Sequence, residues 1–213
     1  MKNIVIYGAG GMGKEVAWLI GTINSQSPTW KLLGFVDDNF ADLKKLFWGY
    51  PVLGGIDWIN KNNKKDIYVI CSIGKSQTRG IIYEMIINQT NLQLATLIDP
   101  LTTINPTVNI GEGSIICKNC VLTVDTSIGK GVIMNTGASV GHDSIVGDYC
   151  TLLTNVMVAG EVRLGDCCEL GAGSFVLQGR KVTSNTVLAP LSSALKDITE
   201  SGTYLGNPAR RMR

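Results

Sequence analysis

Every sixth residue between positions 104 and 188 is aliphatic. The series runs Ile104, Ile110, Ile116, Leu122, Ile128, Met134, Val140, Val146, Leu152, Val158, Leu164, Leu170, Val176, Val182 and Leu188, without a miss and without an inserted loop. A helix repeats every 3.6 residues and a strand every two, so neither makes this period. A period of six fits a chain wound into a coil with flat faces, each coil covering the apolar face of the last. The residue four places on is small or β-branched throughout, as at Ser114, Cys120, Thr126, Val132, Ala138, Ser144 and Cys150. That position also points inward and must fit beside the aliphatic one. The second position is often glycine, at Gly111, Gly129, Gly141, Gly147, Gly165 and Gly171. The expectation is that glycine serves the backbone angles of the corners.

The first part of the chain has another pattern. The apolar run Ile4-Val5-Ile6-Tyr7 reads as a buried strand. It enters Gly8-Ala9-Gly10-Gly11-Met12-Gly13 and then a segment with helical spacing, Lys14 to Ile20. Further strands are expected at 30–36, 67–73 and 94–98. A helix is expected at 77–87 with Ile81, Ile82, Met85 and Ile86 on one face. Strands alternating with helices predict a parallel α/β sheet, ending at the turn signal Asp99-Pro100. The glycine loop matches G-x-G-x-x-G between strand and helix, with Asp37-Asp38 at the end of the next strand. Amide groups at a helix start hold phosphate. Fewer than 100 residues suit a nucleotide or nucleotide sugar better than a whole NAD, and a structural tight turn is the third reading.

Composition removes several classes. Net charge is +2 with only 17% charged residues, so no basic field argues for nucleic acid. No run reaches the ~18 apolar residues of a membrane span, and the N-terminus lacks the pattern of a signal peptide; a cytoplasmic protein is expected. With one histidine, His142, no mechanism or metal site using two or three imidazoles of one chain is possible. The six cysteines are irregularly spaced in a long chain, which argues against a disulfide framework. Cys117-x-x-Cys120 has no second pair and no nearby histidine, so no metal is expected there. Cys120, Cys150 and Cys168 fall at the small interior position.

The hexad array resembles that of the hexapeptide-repeat transferases. Taken with Tyr7-Gly8-Ala9-Gly10-Gly11-Met12-Gly13, Phe35-Val36-Asp37-Asp38-Asn39, Asn135-Thr136, Gly141-His142-Asp143 and Gly206-Asn207-Pro208-Ala209-Arg210, nearly the whole chain resembles the sialic acid O-acetyltransferase (NeuD/PglD-like) family of sugar acetyltransferases. Within that family it is most similar to the nucleotide-sugar N-acetyltransferase branch. The resemblance implies a small Rossmann-like α/β domain over residues 1–98, binding the nucleotide sugar. A left-handed parallel β-helix and C-terminal tail would follow over 99–213. Three hexads per coil make five coils ~4.8 Å apart, with residues 18 apart stacked. His142 then lies between Val124 and Gly160, and Asp143 between Asp125 and Glu161.

The same resemblance implies roles. The acceptor would be held by Gly8, Gly10, Gly11, Gly13, Asp37, Asp38, Gly74 and Lys75. Acetyl-CoA, the co-substrate, would lie in a groove between subunits of a homotrimer, along Asn135, Thr151, Gly160, Ala172 and Pro190. His142 would be the general base, oriented by Asp143. The Gly160 amide and Asn135 would stabilise the oxyanion. An ordinary imidazole, with a pKa of ~6.5, suits such work. An amine would attack the thioester directly, with no acetyl-enzyme. Arg210, Arg211 and Arg213 read either as contacts to CoA phosphates or as a solvated tail. Three positions depart from relatives: Met12 replaces a loop histidine, Thr151 a second histidine nine residues after His142, and Lys75 an asparagine. A sugar O-acetyltransferase, an NAD-binding module and a non-catalytic β-helical scaffold are the competing functions.

Overall fold

The computed structural model describes residues 1–42, 46–102 and 104–212. The front of the chain forms a six-stranded sheet in the order β3-β4-β2-β1-β5-β6. The strands are β1 (Lys2–Tyr7), β2 (Trp30–Val36), β3 (Leu46–Phe47), β4 (Tyr50–Gly54), β5 (Ile67–Cys71) and β6 (Gln93–Leu94), with helices α1 (Gly11–Gln26), α2 (Ile56–Lys61) and α3 (Ser76–Gln89). All neighbours are parallel except the hairpin β3–β4. Ile4, Val5 and Ile6 are wholly buried because β1 is covered on both faces. The hairpin and α2 add to the expected order, since neither carries an apolar run long enough to stand out.

Two expectations are corrected here. α3 buries Arg79, Ile82, Tyr83 and Ile86, the i, i+3, i+4, i+7 set, and leaves Ile81 71% exposed. Its inward face is therefore rotated from the one expected, and a charged residue occupies the phase that apolar periodicity assigns to the core. The segment 94–98 is also not one strand. Gln93–Leu94 pairs with β5, whereas Leu97–Ile98 pairs with Ile115–Ile116. The chain thus enters the coil before Asp99-Pro100, and the boundary of 98 and 99 falls inside the first coil.

From Leu97 onward two-residue rungs alternate with corners. Face one stacks Ile98, Ile116, Met134, Leu152, Leu170 and Leu188. Face two stacks Ile104, Leu122, Val140, Val158, Val176 and Ala194. Face three stacks Ile110, Ile128, Val146, Leu164 and Val182, and Ile198 closes it 16 residues on. The inner residues from Leu122 to Leu188 form one buried column, with the small residues Cys120, Val132, Ala138, Cys150, Val156 and Cys168 between them. The array therefore extends one hexad beyond each end of the strict aliphatic series.

The second-position glycines do not serve the corners. Positive φ falls at the fourth position instead, at Asn119, Asp125, Gly131, Gly137, Asp143, Tyr149, Asn155, Glu161 and Cys167 among others. The second-position glycines serve clearance. A Cβ on Gly147 would lie 2.7 Å from the carbonyl carbon of Gly165 in the next coil, and one on Gly141 2.6 Å from the amide nitrogen of Gly160. Two backbones one coil apart leave no room for that atom. The front sheet packs on face one: Ile115, Cys117 and Ile133 share a core with Ala17, Leu19, Ile20 and Phe35.

Candidate active site

The strands β1, β2 and β5 end on the same edge of the sheet, where the chain order reverses on either side of β1. Such an edge is where open α/β sheets bind ligands. Gly8 takes φ +110°, and a Cβ there would meet the Ser72 hydroxyl at 2.8 Å. A Cβ on Gly13 would meet the Gly8 carbonyl oxygen at 2.3 Å, so glycine lets α1 lie against its own loop. Gly10 and Gly11 have open space around them, and Gly10 caps α1 without a side-chain partner. The acidic pair locks this loop. Asp37 accepts the Ala9 amide at 2.8 Å and the Asn39 amide at 2.9 Å. Asp38 accepts the Ile56 amide and the Tyr7 hydroxyl. Burial, and then the Asp38 carboxylate, hold the Tyr7 phenol above its ordinary range.

Gly74 and Lys75 follow β5 on the same edge, with the Ile73 side chain 3.3 Å from where a Gly8 Cβ would stand. The Gly74 carbonyl accepts the Thr151 hydroxyl at 2.8 Å and Arg79 Nη1 at 3.0 Å. Thr151 is 3% exposed, and its hydroxyl also accepts Arg79 Nη2 at 2.8 Å. Its polar atom thus joins the two halves of the chain. With Gly74, Glu169, Gly171 and Pro190, Thr151 walls a mainly apolar cavity of about 270 Å³.

His142 stands at the corner between faces two and three, 49% exposed at its side chain. Its Nδ1 lies 2.8 Å from Asp143 Oδ2. Asp143 has φ 60°, in a column with Asp125 at 54° and Glu161 at 61°. Thus Asp143 is a turn aspartate and the partner of the ring at once. The other ring nitrogen faces the coil below: a Cβ on Gly160 would sit 2.5 Å from His142 Nε2. Gly160 leaves that space open, and among the described residues its amide has no acceptor. A fixed imidazole beside a free amide can take a proton at one point while donating to an oxyanion at another.

The corners separate the predicted residues. Asn135, Ala172 and Pro190 follow face one, on its edge with face two. His142 and Gly160 lie on the next edge, between faces two and three. The front sheet covers face one, which the His142 edge does not bound. Within one chain the glycine loop and His142 are therefore on different sides of the coil. At the tail, Arg211 pairs with Glu200 at 3.2 Å. Arg210 lines a groove of about 520 Å³ with Lys196, Asp197 and Tyr204. Arg213 lies outside the described residues.

Comparison with known proteins completes the picture. Residues 3–86 match the PglD N-terminal domain family. The acetyltransferase domain of PglB from Neisseria gonorrhoeae in complex with acetyl coenzyme A shares 27% identity over 99% of each chain, with a TM-score of 0.89. Perosamine N-acetyltransferase from Caulobacter crescentus in complex with CoA and GDP-perosamine shares 26% over 100% of this chain and 98% of that one, with a TM-score of 0.89. Over its whole length this chain is similar to sugar acetyltransferases of the PglD/NeuD-like kind. WeeI from Acinetobacter baumannii shares 26% identity over the whole of both chains, with a TM-score of 0.80. No curated protein sequence matches. The fold, an α/β domain followed by a left-handed parallel β-helix, is shared with these structures.

Sequence reasoning missed three contributors. Arg163 donates from Nη1 to the Asp143 carbonyl, bracing the corner that carries the ring. Glu169 accepts both the amide and the hydroxyl of Ser76 at 2.8 Å. Arg79 is wholly buried. Of these only Arg79 left a signal, as the charged residue at the buried phase of α3. Burial pushes the Cys117 thiol to about 12 and Cys120 to about 11, so both remain neutral. Among the described residues no cluster of three or more metal-ligating side chains occurs, and no helix is long and apolar enough to cross a membrane.

Proposed function

We propose that the chain is an acetyl-CoA-dependent N-acetyltransferase of a nucleotide-linked amino-deoxysugar, a UDP-linked 4-amino sugar by first choice, used for a bacterial surface glycan. The observation that carries this is the His142–Asp143 pair with Nε2 directed at a Cβ-less, amide-bearing Gly160. The amine nitrogen attacks the thioester carbonyl. A C–N bond forms, the C–S bond breaks, and His142 Nε2 takes the amine proton before returning one to the CoA thiolate. The Gly160 amide donates to the carbonyl oxygen as it gains charge. The relatives solved with acetyl coenzyme A, and with CoA and GDP-perosamine, support both substrates. Holding acetyl-CoA is assigned to Asn135, Gly160, Ala172 and Pro190, and the acceptor to the glycine loop, Asp37, Asp38, Gly74 and Lys75.

The separation of His142 from the glycine loop supports a homotrimer, in which a second copy brings its front domain or its Asn135 edge to His142. Light scattering is expected to give three times the chain mass, and a stable monomer would remove the shared site. The function is tested by thiol release from acetyl-CoA against UDP-, GDP- and dTDP-linked 3- and 4-amino-deoxysugars, free sialic acid and NADH binding. Turnover with one nucleotide amino sugar is expected. Turnover with the sialic acid hydroxyl alone, or tight NADH binding without turnover, would replace this reading.

A further inference from the structure

We infer that Arg79 and Thr151 form a buried clamp that sets the pose of residues 73–75 toward the nucleotide half of the acceptor, making Arg79 a positioning residue of that half-site. The inference rests on the nucleotide-sugar reading above.

Among the described residues no carboxylate is in hydrogen-bond contact with the Arg79 guanidinium. Nε donates to the Gly131 carbonyl at 2.7 Å, and Nη1 to Ile73 and Gly74 at 2.6 and 3.0 Å. Nη2 donates to the carbonyls of Tyr149 and Cys150 and to Thr151 Oγ1, at 2.7 to 3.0 Å. Two acceptors thus belong to the loop after β5 and four to the β-helix. A buried charge is tolerated only when all its donors are used, and here the fork geometry spans both domains. The neighbouring Cys71 thiol, pushed up to about 12 by burial, offers no negative charge. Thr151 completes the clamp by donating to Gly74 while accepting from Arg79.

The loop is gripped on its far side as well. Ser76 is held by Glu169 and by the Cys167 carbonyl. Residues 73–75 are therefore suspended between two tethers to the coil, while the Ile73 side chain faces Gly8. A simple core filler would need none of this. Apolar side chains at positions 79 and 151 would pack the same space but leave the Gly74 carbonyl, and with it the loop, without a fixed direction.

The test uses the full chain and calorimetric titration with UDP, GDP and dTDP as acceptor probes and CoA as donor probe. Arg79→Lys keeps the charge but loses the fork, and Thr151→Val keeps the shape but loses the hydroxyl. Both are expected to weaken the nucleoside diphosphate bound by the wild type roughly tenfold, with CoA affinity unchanged. Thr151→Ser is expected to restore it. If Arg79→Lys does not fold, the two Thr151 variants carry the test. Equal loss for nucleotide and CoA, or no loss for either, overturns the clamp. If the wild type binds CoA but none of the three nucleotides, the nucleotide-sugar reading fails, and the clamp with it. That result is distinct from a wild type that binds a nucleotide and variants that bind it equally well.

Discussion

His142→Ala is expected to lower kcat/KM for acetyl transfer by about 10²- to 10⁴-fold, the usual contribution of a positioned general base. The fold should be indifferent to the change. The ring is half-exposed at a corner, and the turn that carries it is held by main-chain bonds, from the Asp143 amide to the Val124 carbonyl and from the Glu161 amide to the His142 carbonyl. The loss would therefore fall on the rate with the melting temperature retained. No other imidazole exists in the chain to substitute for it. The measurement is thiol release at saturating acetyl-CoA across pH, alongside thermal unfolding. A near-wild-type rate at every pH would remove His142 from the base role and leave Gly160 without a reason to lack a side chain.

Gly160→Ala should cost about 10²-fold in kcat, the scale of a displacement of about 1 Å in reacting groups. The added methyl would stand 2.5 Å from Nε2 and 2.7 Å from Cε1 of His142. Something must give, and the imidazole is the movable party because it ends a half-exposed side chain. Gly160 itself has no left-handed φ, so alanine brings no backbone strain. The variant should fold, form the same oligomer and bind CoA, yet turn over slowly. This separates it from Gly141→Ala, whose Cβ would strike the backbone of the next coil and would act on stability instead. An active Gly160→Ala enzyme would show that the ring works from another pose than the one beside this coil.

Much of the coil was legible because its physics is local and repeated. One aliphatic residue in six, with a small one four places on, leaves few ways to bury both. The stacking of His142 on Gly160 then followed from counting. The misreadings came where two causes leave the same residue behind. Glycine at the second position and glycine at a corner look alike in a string of letters, but one avoids a Cβ clash between coils and the other accepts φ near +60°. Likewise Leu97–Ile98 has the same apolar letters whether it ends a sheet or begins a coil, and only its partner Ile115–Ile116 decides.

The amino-acid sequence by itself determined the coil, its register, the strand-loop-helix at the start and the place of the single histidine. Each depends on neighbours a fixed number of residues apart, so each is written in the spacing. Tertiary structure alone decided how the two parts meet. The guanidinium of Arg79 is satisfied largely by main-chain carbonyls, those of the coil 52 to 71 positions away. The Thr151 hydroxyl takes part in that same junction. Main-chain carbonyls carry no residue identity, so no pattern of side chains announces them. The placement of His142 on an edge that its own front domain does not cover has the same origin. It depends on which face of the coil the sheet packs against, and every face repeats the same hexad.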